Sequence, residues 1–374
     1  MMLYSVVLGA LVIWRGIWVQ KFSRLWKIIL SVFVVLISAK FYILRMFGGP
    51  LAFAPDLPGW ILLPVAWLFA SLMFFCGWMF LYEATWGIGK LICRFRKKPM
   101  PKFFTEPLWR LSGLIPVVII VSIGMYEGLK TPEVVEYTVY IDDLPAELEN
   151  LRIVHLSDIH TDRLSGREDV QEIVDIANAQ NGDLIVITGD FVDGRMSVRG
   201  EDVLPLRGLS APLGVYGVPG NHEYYSGYDE WVEFLNAHGV EMLENRHVML
   251  GENFALGGVT DPAAKHRGGT LPDIDETFAG VPEGAFKLLL AHQPKLSLEA
   301  AEAGVDLQLS GHTHGGMVWG LDLLVGMFNH GQVSGEYSVG RMKLYISNGT
   351  GIWNGFPIRL GHRSEIVVLT LKRR

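Results

Sequence analysis

Two patterns of apolar spacing divide the chain. Over roughly the first 130 residues the apolar side chains come in long runs. Beyond that they come in short bursts, most of them closed by glycine, aspartate, asparagine or histidine. The long runs lie at about 3–19, 28–47, 60–82 and 111–126. A helix needs about 20 apolar residues to cross roughly 30 Å of hydrocarbon. The third run is long and clean. The first carries Arg15, the second Lys40 and Arg45, and the fourth is short and contains Pro116. Trp14, Trp18, Trp26, Trp60 and Trp109 stand near run ends, where amphipathic rings favour the membrane interface. The pattern predicts a four-helix transmembrane region over residues 1–130. The competing reading is a helical bundle buried in a soluble protein. No small-residue cleavage site follows the first run, which disfavours a removed signal peptide.

The bursts predict strands. "VVEYTVYI" after Pro132, "LRIVHL" (Leu151–Leu156), "LIVIT" (Leu184–Thr188), "VYGV" (Val215–Val218), "FKLLLA" (Phe286–Ala291) and "VDLQLS" (Val305–Ser310) all have strand length and composition. Between several of them lie stretches with helical spacing: Glu168–Ala179, Tyr228–His238 and Leu296–Ala303. Strands alternating with helices predict an α/β domain over residues 131–374.

Charge separates the same two regions. Residues 1–130 hold fourteen Lys and Arg against four Asp and Glu, while the whole chain stands at −7, so the second region is acidic. An acidic domain without basic clusters lacks the footprint of a nucleic-acid binder. Cys76 and Cys93 both fall in the first region. The second therefore has neither a disulfide framework nor a thiolate metal site. Lys21, Arg24 and Lys27 follow the first run, and Lys90 to Lys102 supplies six more cations after the third. The Gly48–Gly59 connection has none. By the positive-inside rule the two basic connections face the cytoplasm. The α/β domain then faces the periplasm or exterior. Arg15 would snorkel to the inner surface, and Lys40 and Arg45 count mildly against this orientation.

The polar residues that close the bursts carry the chemistry. Asp158 and His160 follow "LRIVHL", and Asp190 follows "LIVIT". Asn221 and His222 follow "VYGV", His292 follows "FKLLLA", and His312 and His314 follow "VDLQLS". In open α/β sheets, ligands bind beyond the carboxyl ends of the strands. If extended geometry continues past a strand, residues two apart share a side, which would pair Asp158 with His160 and His312 with His314. Gly189, Gly220 and Gly311 precede candidate ligands, where the chain must turn or let a side chain approach. Asp, Asn and His without Cys suit Mn, Fe or Zn. Two such ions about 3.5–4 Å apart form a clamp for displacement at phosphorus.

The ordered set Asp-x-His, Gly-Asp-x-x-Asp, Gly-Asn-His-Glu, a single His and Gly-His-x-His resembles the calcineurin-like metallophosphoesterase family. "LPAELENLRIVHLSDIH" and "GTGIWNGFPIRLG" resemble its membrane-attached bacterial branch. The resemblance implies two packed β-sheets flanked by helices and two divalent ions per chain. By position, Asp158, His160 and His314 would hold one ion and Asn221, His292 and His312 the other, with Asp190 between them. His222 would be catalytic, stabilising the transition state or protonating the leaving group. Met317 stands where the branch often has Gln, a departure that bears on substrate shape rather than ligation.

Other residues are read more plainly. Asp193 and Glu223 read as supporting or surface residues and His155 as a hydrogen-bonded core histidine. Arg359 could bind substrate phosphate or simply pair with an acid. Trp319, Trp353 and Phe356 could line an apolar groove or pack in the core. The reading as a whole is an integral membrane phosphoesterase acting on an envelope or lipid-linked phosphate ester or pyrophosphate by metal-activated hydroxide attack. Its partners are that substrate and the bilayer, with no nucleic acid. The alternatives are a cytoplasm-facing nucleotide-lipid pyrophosphatase, and a sensor or transport-associated protein whose metal domain only binds.

Overall fold

Successive side chains of a strand point to opposite faces, and this alternation builds the acidic region. The structure is a computed structural model that describes residues 2–47 and 54–374. It divides into two units, Met1–Tyr126 and Glu127–Arg374. The second unit contains twelve strands. They are β1 (Glu133–Ile141), β2 (Arg152–Leu156), β3 (Leu184–Ile187), β4 (Val215–Gly217), β5 (Glu241–Met242), β6 (Arg246–Gly251), β7 (Phe254–Gly258), β8 (Phe286–Leu290), β9 (Leu307–Ser310), β10 (Gly335–Val339), β11 (Met342–Ile346) and β12 (Glu365–Arg373).

These form two six-stranded sheets, ordered β1-β12-β2-β3-β4-β5 and β10-β11-β9-β8-β7-β6. One face of each turns inward. Ile153 and Val186 of the first sheet share a buried cluster with Leu256, Leu288, Leu307 and Tyr345 of the second. The alternate residues face outward to helices. Val154, Ile185 and Ile187 meet Val170, Ile173, Trp231 and Leu235, while Leu289 and Ala255 meet Ile274, Phe278 and Ala300. The result is a face-to-face pair of sheets with helices outside. Strands β2, β3 and β4 are mutually parallel, as are β7, β8 and β9. Their carboxyl ends therefore deliver their loops to one edge.

The hydropathy bursts do not predict β12 or the hairpins β6–β7 and β10–β11. β12 lies between β1 and β2, parallel to the first and antiparallel to the second, with Val367 opposite His155.

The first unit is helical: Met2–Leu11 continuing as a π-helical stretch Val12–Ile17, then Arg24–Ser38, Lys40–Phe47, Gly59–Phe95 and Leu114–Gly128. Two segments, Gly59–Phe95 and Pro107–Gly128, are long and apolar enough to cross a membrane, and a third exists if the pair bent by 65° at Ala39 is one span. Four spans are therefore not established. The first run yields only Tyr4–Ile17, about 21 Å of helix at 1.5 Å per residue. Arg15, expected at the inner surface, is ion-paired with Glu83, which also accepts from Arg110 Nε at 2.9 Å. Lys40 is buried beside the rings of Phe41 and Phe69. Residues 48–53 of the cation-free connection at 48–59 lie outside the described residues.

Candidate metal centre

All seven candidate ligands sit at that one edge of the sheet pair, on the loops after β2, β3, β4, β8 and β9. Their backbone is not extended. Asp158, His160, Asp190, His312 and His314 have φ of 53°, 50°, 54°, 70° and 48°. The spacing-two pairs thus arise from left-handed turns, not from a continued strand. Asp and His tolerate this region better than most residues, at a cost of about 1–3 kcal/mol each. Surrounding hydrogen bonds hold them there. Asp158 N–H donates to Gly189 O and His160 N–H to Asp190 O, both at 3.0 Å, tying the β2 loop to the β3 loop. Two glycines supply space. A Cβ on Gly311 would lie 2.2 Å from Asp158 Oδ2, and one on Gly220 would lie 2.2 Å from Asp190 Oδ1.

The donor atoms gather in two adjoining groups. In the first, His160 Nε2 and His314 Nε2 are 3.1 Å apart, and Asp158 Oδ1 is 3.4 Å from His314 Nε2. In the second, His292 Nε2 lies 3.2 Å from each of Asn221 Oδ1, His312 Nδ1 and Asp190 Oδ2. Asp190 Oδ2 is also 3.7 Å from His160 Nε2, so it stands between the groups. In His292 and Asp158 the inward atoms are acceptors, because the other positions of these side chains are engaged. His292 Nδ1–H donates to Thr188 O at 2.7 Å, which leaves the Nε2 lone pair facing inward. Asp158 Oδ2 accepts from Ser157 Oγ at 2.5 Å and from His312 N–H at 2.9 Å; Oδ1, 3.1 Å from the same N–H, is the oxygen nearer the histidine nitrogens. Nitrogen lone pairs and carboxylate oxygens packed this closely, and buried, repel one another unless cations lie among them. The donor set thus fits divalent ions.

Residues whose support the sequence pattern leaves undefined hold this arrangement. Asp193 is fully buried; its carboxylate hydrogen-bonds His222 Nδ1 and lies 3.2 Å from His160 Nδ1. Glu223, also fully buried, accepts from the N–H groups of Gly220, Phe191 and Asp190 at 2.7, 2.8 and 3.0 Å, locking the Asp190 loop to the Asn221–Ser226 helix. Neither is a surface residue. Arg359, read as either a phosphate contact or the partner of an acid, is engaged by backbone carbonyls. It is 1% exposed, and its Nη2 donates to Asn348 O at 2.7 Å and Gly351 O at 2.8 Å, 3.3 Å behind His314 Nδ1. It positions the His314 loop.

The charges follow from this packing. Burial opposes a charged His222, but the carboxylates of Asp193 and Asp190 outweigh it and raise the imidazole to about 9. Burial would raise Asp190, yet His292, His222 and His160 hold it well below the usual carboxylate range. Burial, reinforced by His292, lowers His312 to about 3. Burial and the nearby Asp190 raise Glu223 to about 7. His155 is an interior residue with Nε2 2.8 Å from Thr188 Oγ1, and burial lowers it to about 3.

His222 lies at the rim of the first group, its ring centroid 4.7 Å from that of His160. Its side chain is 12% exposed, with Nε2 4.0 Å from Asp190 Oδ2. Tyr225 and Trp353 lie against it, ring centroids 5.4 and 6.3 Å away. Trp353 thus stands beside the centre, whereas Trp319 is largely exposed.

Residues 151–316 match the calcineurin-like phosphoesterase family model. The chain belongs to this family of metal-dependent phosphoesterases. It is 31% identical over 394 residues to a transmembrane protein with metallophosphoesterase domain from Danio rerio, covering 98% of this chain and 87% of that protein. An uncharacterized metallophosphoesterase of Helicobacter pylori strain J99 is 38% identical over 252 residues; the match spans 66% of each protein, about two thirds of the relative's length. An uncharacterized metallophosphoesterase of Aquifex aeolicus is 32% identical over 259 residues, 68% of this chain but 98% of its own.

Proposed function

We propose that the protein is a membrane-anchored two-metal phosphoesterase that cleaves phosphate ester or pyrophosphate bonds of an envelope or lipid-linked substrate. The observation carrying this reading is the pair of adjoining donor groups with Asp190 Oδ2 between them, 3.2 Å from His292 Nε2 and 3.7 Å from His160 Nε2. Asp158, His160 and His314 are assigned to one ion, Asn221, His292 and His312 to the other, and Asp190 to both. When bound, divalent ions supply Lewis acidity toward phosphoryl oxygens and make water a nucleophile near neutral pH. The chain supplies the rest. Thr188 O and Asp193 fix imidazole orientation, and such partners tune the ligands they hold. His222, kept protonated by Asp193, is placed to give its proton to a leaving oxygen, help typically worth about 10² to 10⁴ in rate.

Turnover by the purified chain with Mn, Zn or Fe, against monoesters, diesters and lipid pyrophosphates, tests the reading. Metal-dependent hydrolysis of at least one class is expected; binding without turnover of any would leave only a binding module.

The orientation proposed places the phosphoesterase unit outside the cytoplasm. This depends on the basic Lys90–Lys102 connection and on one crossing by Pro107–Gly128, so it holds whether or not Tyr4–Ile17 spans. With Cys76 and Cys93 removed, a cysteine in the Arg96–Lys102 loop should label only from the cytoplasm and one near Glu133 only from outside. The reverse pattern would support a cytoplasm-facing nucleotide-lipid pyrophosphatase.

A further inference from the structure

Just past the His314 loop the chain forms an apolar projection. Trp319, Leu323, Met327 and Phe328 are 76%, 76%, 79% and 74% exposed. Between Gly315 and Gly335 the only ionisable side chains are Asp322 and His330, and no Lys or Arg occurs. Single exposed apolar residues are ordinary, but a contiguous patch of this kind marks an interaction surface.

The projection has a firm base. Leu360 N–H donates to Met317 O at 2.8 Å, and Trp319 N–H donates to Leu360 O at 2.9 Å. The Leu321–Gly326 helix rests on the turn that carries His314, so closely that a Cβ on Gly316 would lie 2.5 Å from Asp322 Cα. Its large side chains are held out from the domain by ordered backbone.

We propose that this projection, Met317–Gly331, inserts into the bilayer surface beside the metal centre and presents lipid headgroup phosphates to it. The bilayer is the occupant because the chain carries its own tether. The apolar Pro107–Gly128 segment is followed by β1 at Glu133. Five residue steps reach at most about 17 Å, so the unit is held at the membrane surface. Trp, Phe, Leu and Met without Lys or Arg suit insertion by apolar burial rather than headgroup electrostatics. The part concerning substrate rests on the phosphoesterase reading above; the insertion itself does not.

Two measurements on the full chain test it. A nitroxide on Leu323→Cys, with Cys76 and Cys93 replaced by serine, is examined in phosphatidylcholine vesicles. Collision with oxygen should be frequent and with a water-soluble nickel chelate rare, unchanged by high salt. Nickel access equal to that of a label on exposed Glu252→Cys would overturn insertion. Shielding from both reagents would also overturn it, because the cover would then be protein, a second copy included. In the second measurement, Leu323→Asp with Phe328→Asp should lower turnover of a lipid-linked pyrophosphate in vesicles relative to bis-p-nitrophenyl phosphate. Two large apolar side chains would leave the hydrocarbon, so the ratio should fall about tenfold or more. An unchanged ratio would overturn the link to substrate. Absence of all hydrolysis by the wild type would sink the phosphoesterase reading while the nitroxide still decides insertion.

Discussion

The two donor groups of the centre rest on different backbones. Asp158, His160 and His314 all have left-handed φ, and their geometry depends on neighbours: Asp193 beside His160 and Arg359 behind His314. In the second group, apart from the shared Asp190, only His312 is left-handed. Asn221 opens a helix, and His292 follows β8 with its ring fixed by Thr188 O. One group is held by loops that over-determine a strained backbone, the other largely by regular structure. Sensitivity to distant substitutions should therefore concentrate in the first group.

Asp190 is the test common to both groups and should give the largest effect. Asp190→Asn should cost more metal than either His160→Ala or His292→Ala, read by elemental analysis of the three variants. Retention of two ions per chain by Asp190→Asn would remove its shared role. His222→Ala comes next. It should keep both ions and fold normally, yet lose about 10² to 10⁴ in kcat. The loss should shrink for nitrophenyl substrates, whose leaving group needs no proton. Loss of metal would make His222 a ligand; wild-type rates with poor leaving groups would end its catalytic role.

Asp193→Asn separates the groups. Removing such a supporting carboxylate typically costs about 10- to 100-fold in metal affinity or activity. Titration should show the weaker affinity at one ion only, the one assigned to His160; equal weakening at both would refute the contrast. Arg359→Met is expected to be mildest in catalysis. It leaves the carbonyls of Asn348 and Gly351 without their donor, at about 1–3 kcal/mol each, so Tm should fall with KM nearly unchanged. A raised KM at unaltered Tm would restore Arg359 to the phosphate.

The candidate ligands were legible because each closes an apolar burst, and parallel strands bring such ends to one edge. The backbone that aims them was not legible. Nothing in "SDIH" or "GHTH" distinguishes an extended chain from left-handed turns. Asp193 and Glu223 look like surface acids until the loops fold over them, although their places in Gly-Asp-x-x-Asp and Gly-Asn-His-Glu were a signal. Arg359 hydrogen-bonds to backbone carbonyls, which carry no sequence label. β12 lies more than 200 residues from the β1 and β2 strands it joins, and such pairing follows from topology rather than local pattern. In the helical unit, hydropathy found the apolar stretches but not the 65° bend at Ala39.

Metal content and turnover, measured together on the purified full chain, address the central claim most directly. Two divalent ions per chain are expected, with hydrolysis falling as chelator removes them and returning when they are restored. Full turnover with both ions removed, or with no more than one bound, would contradict the two-metal account.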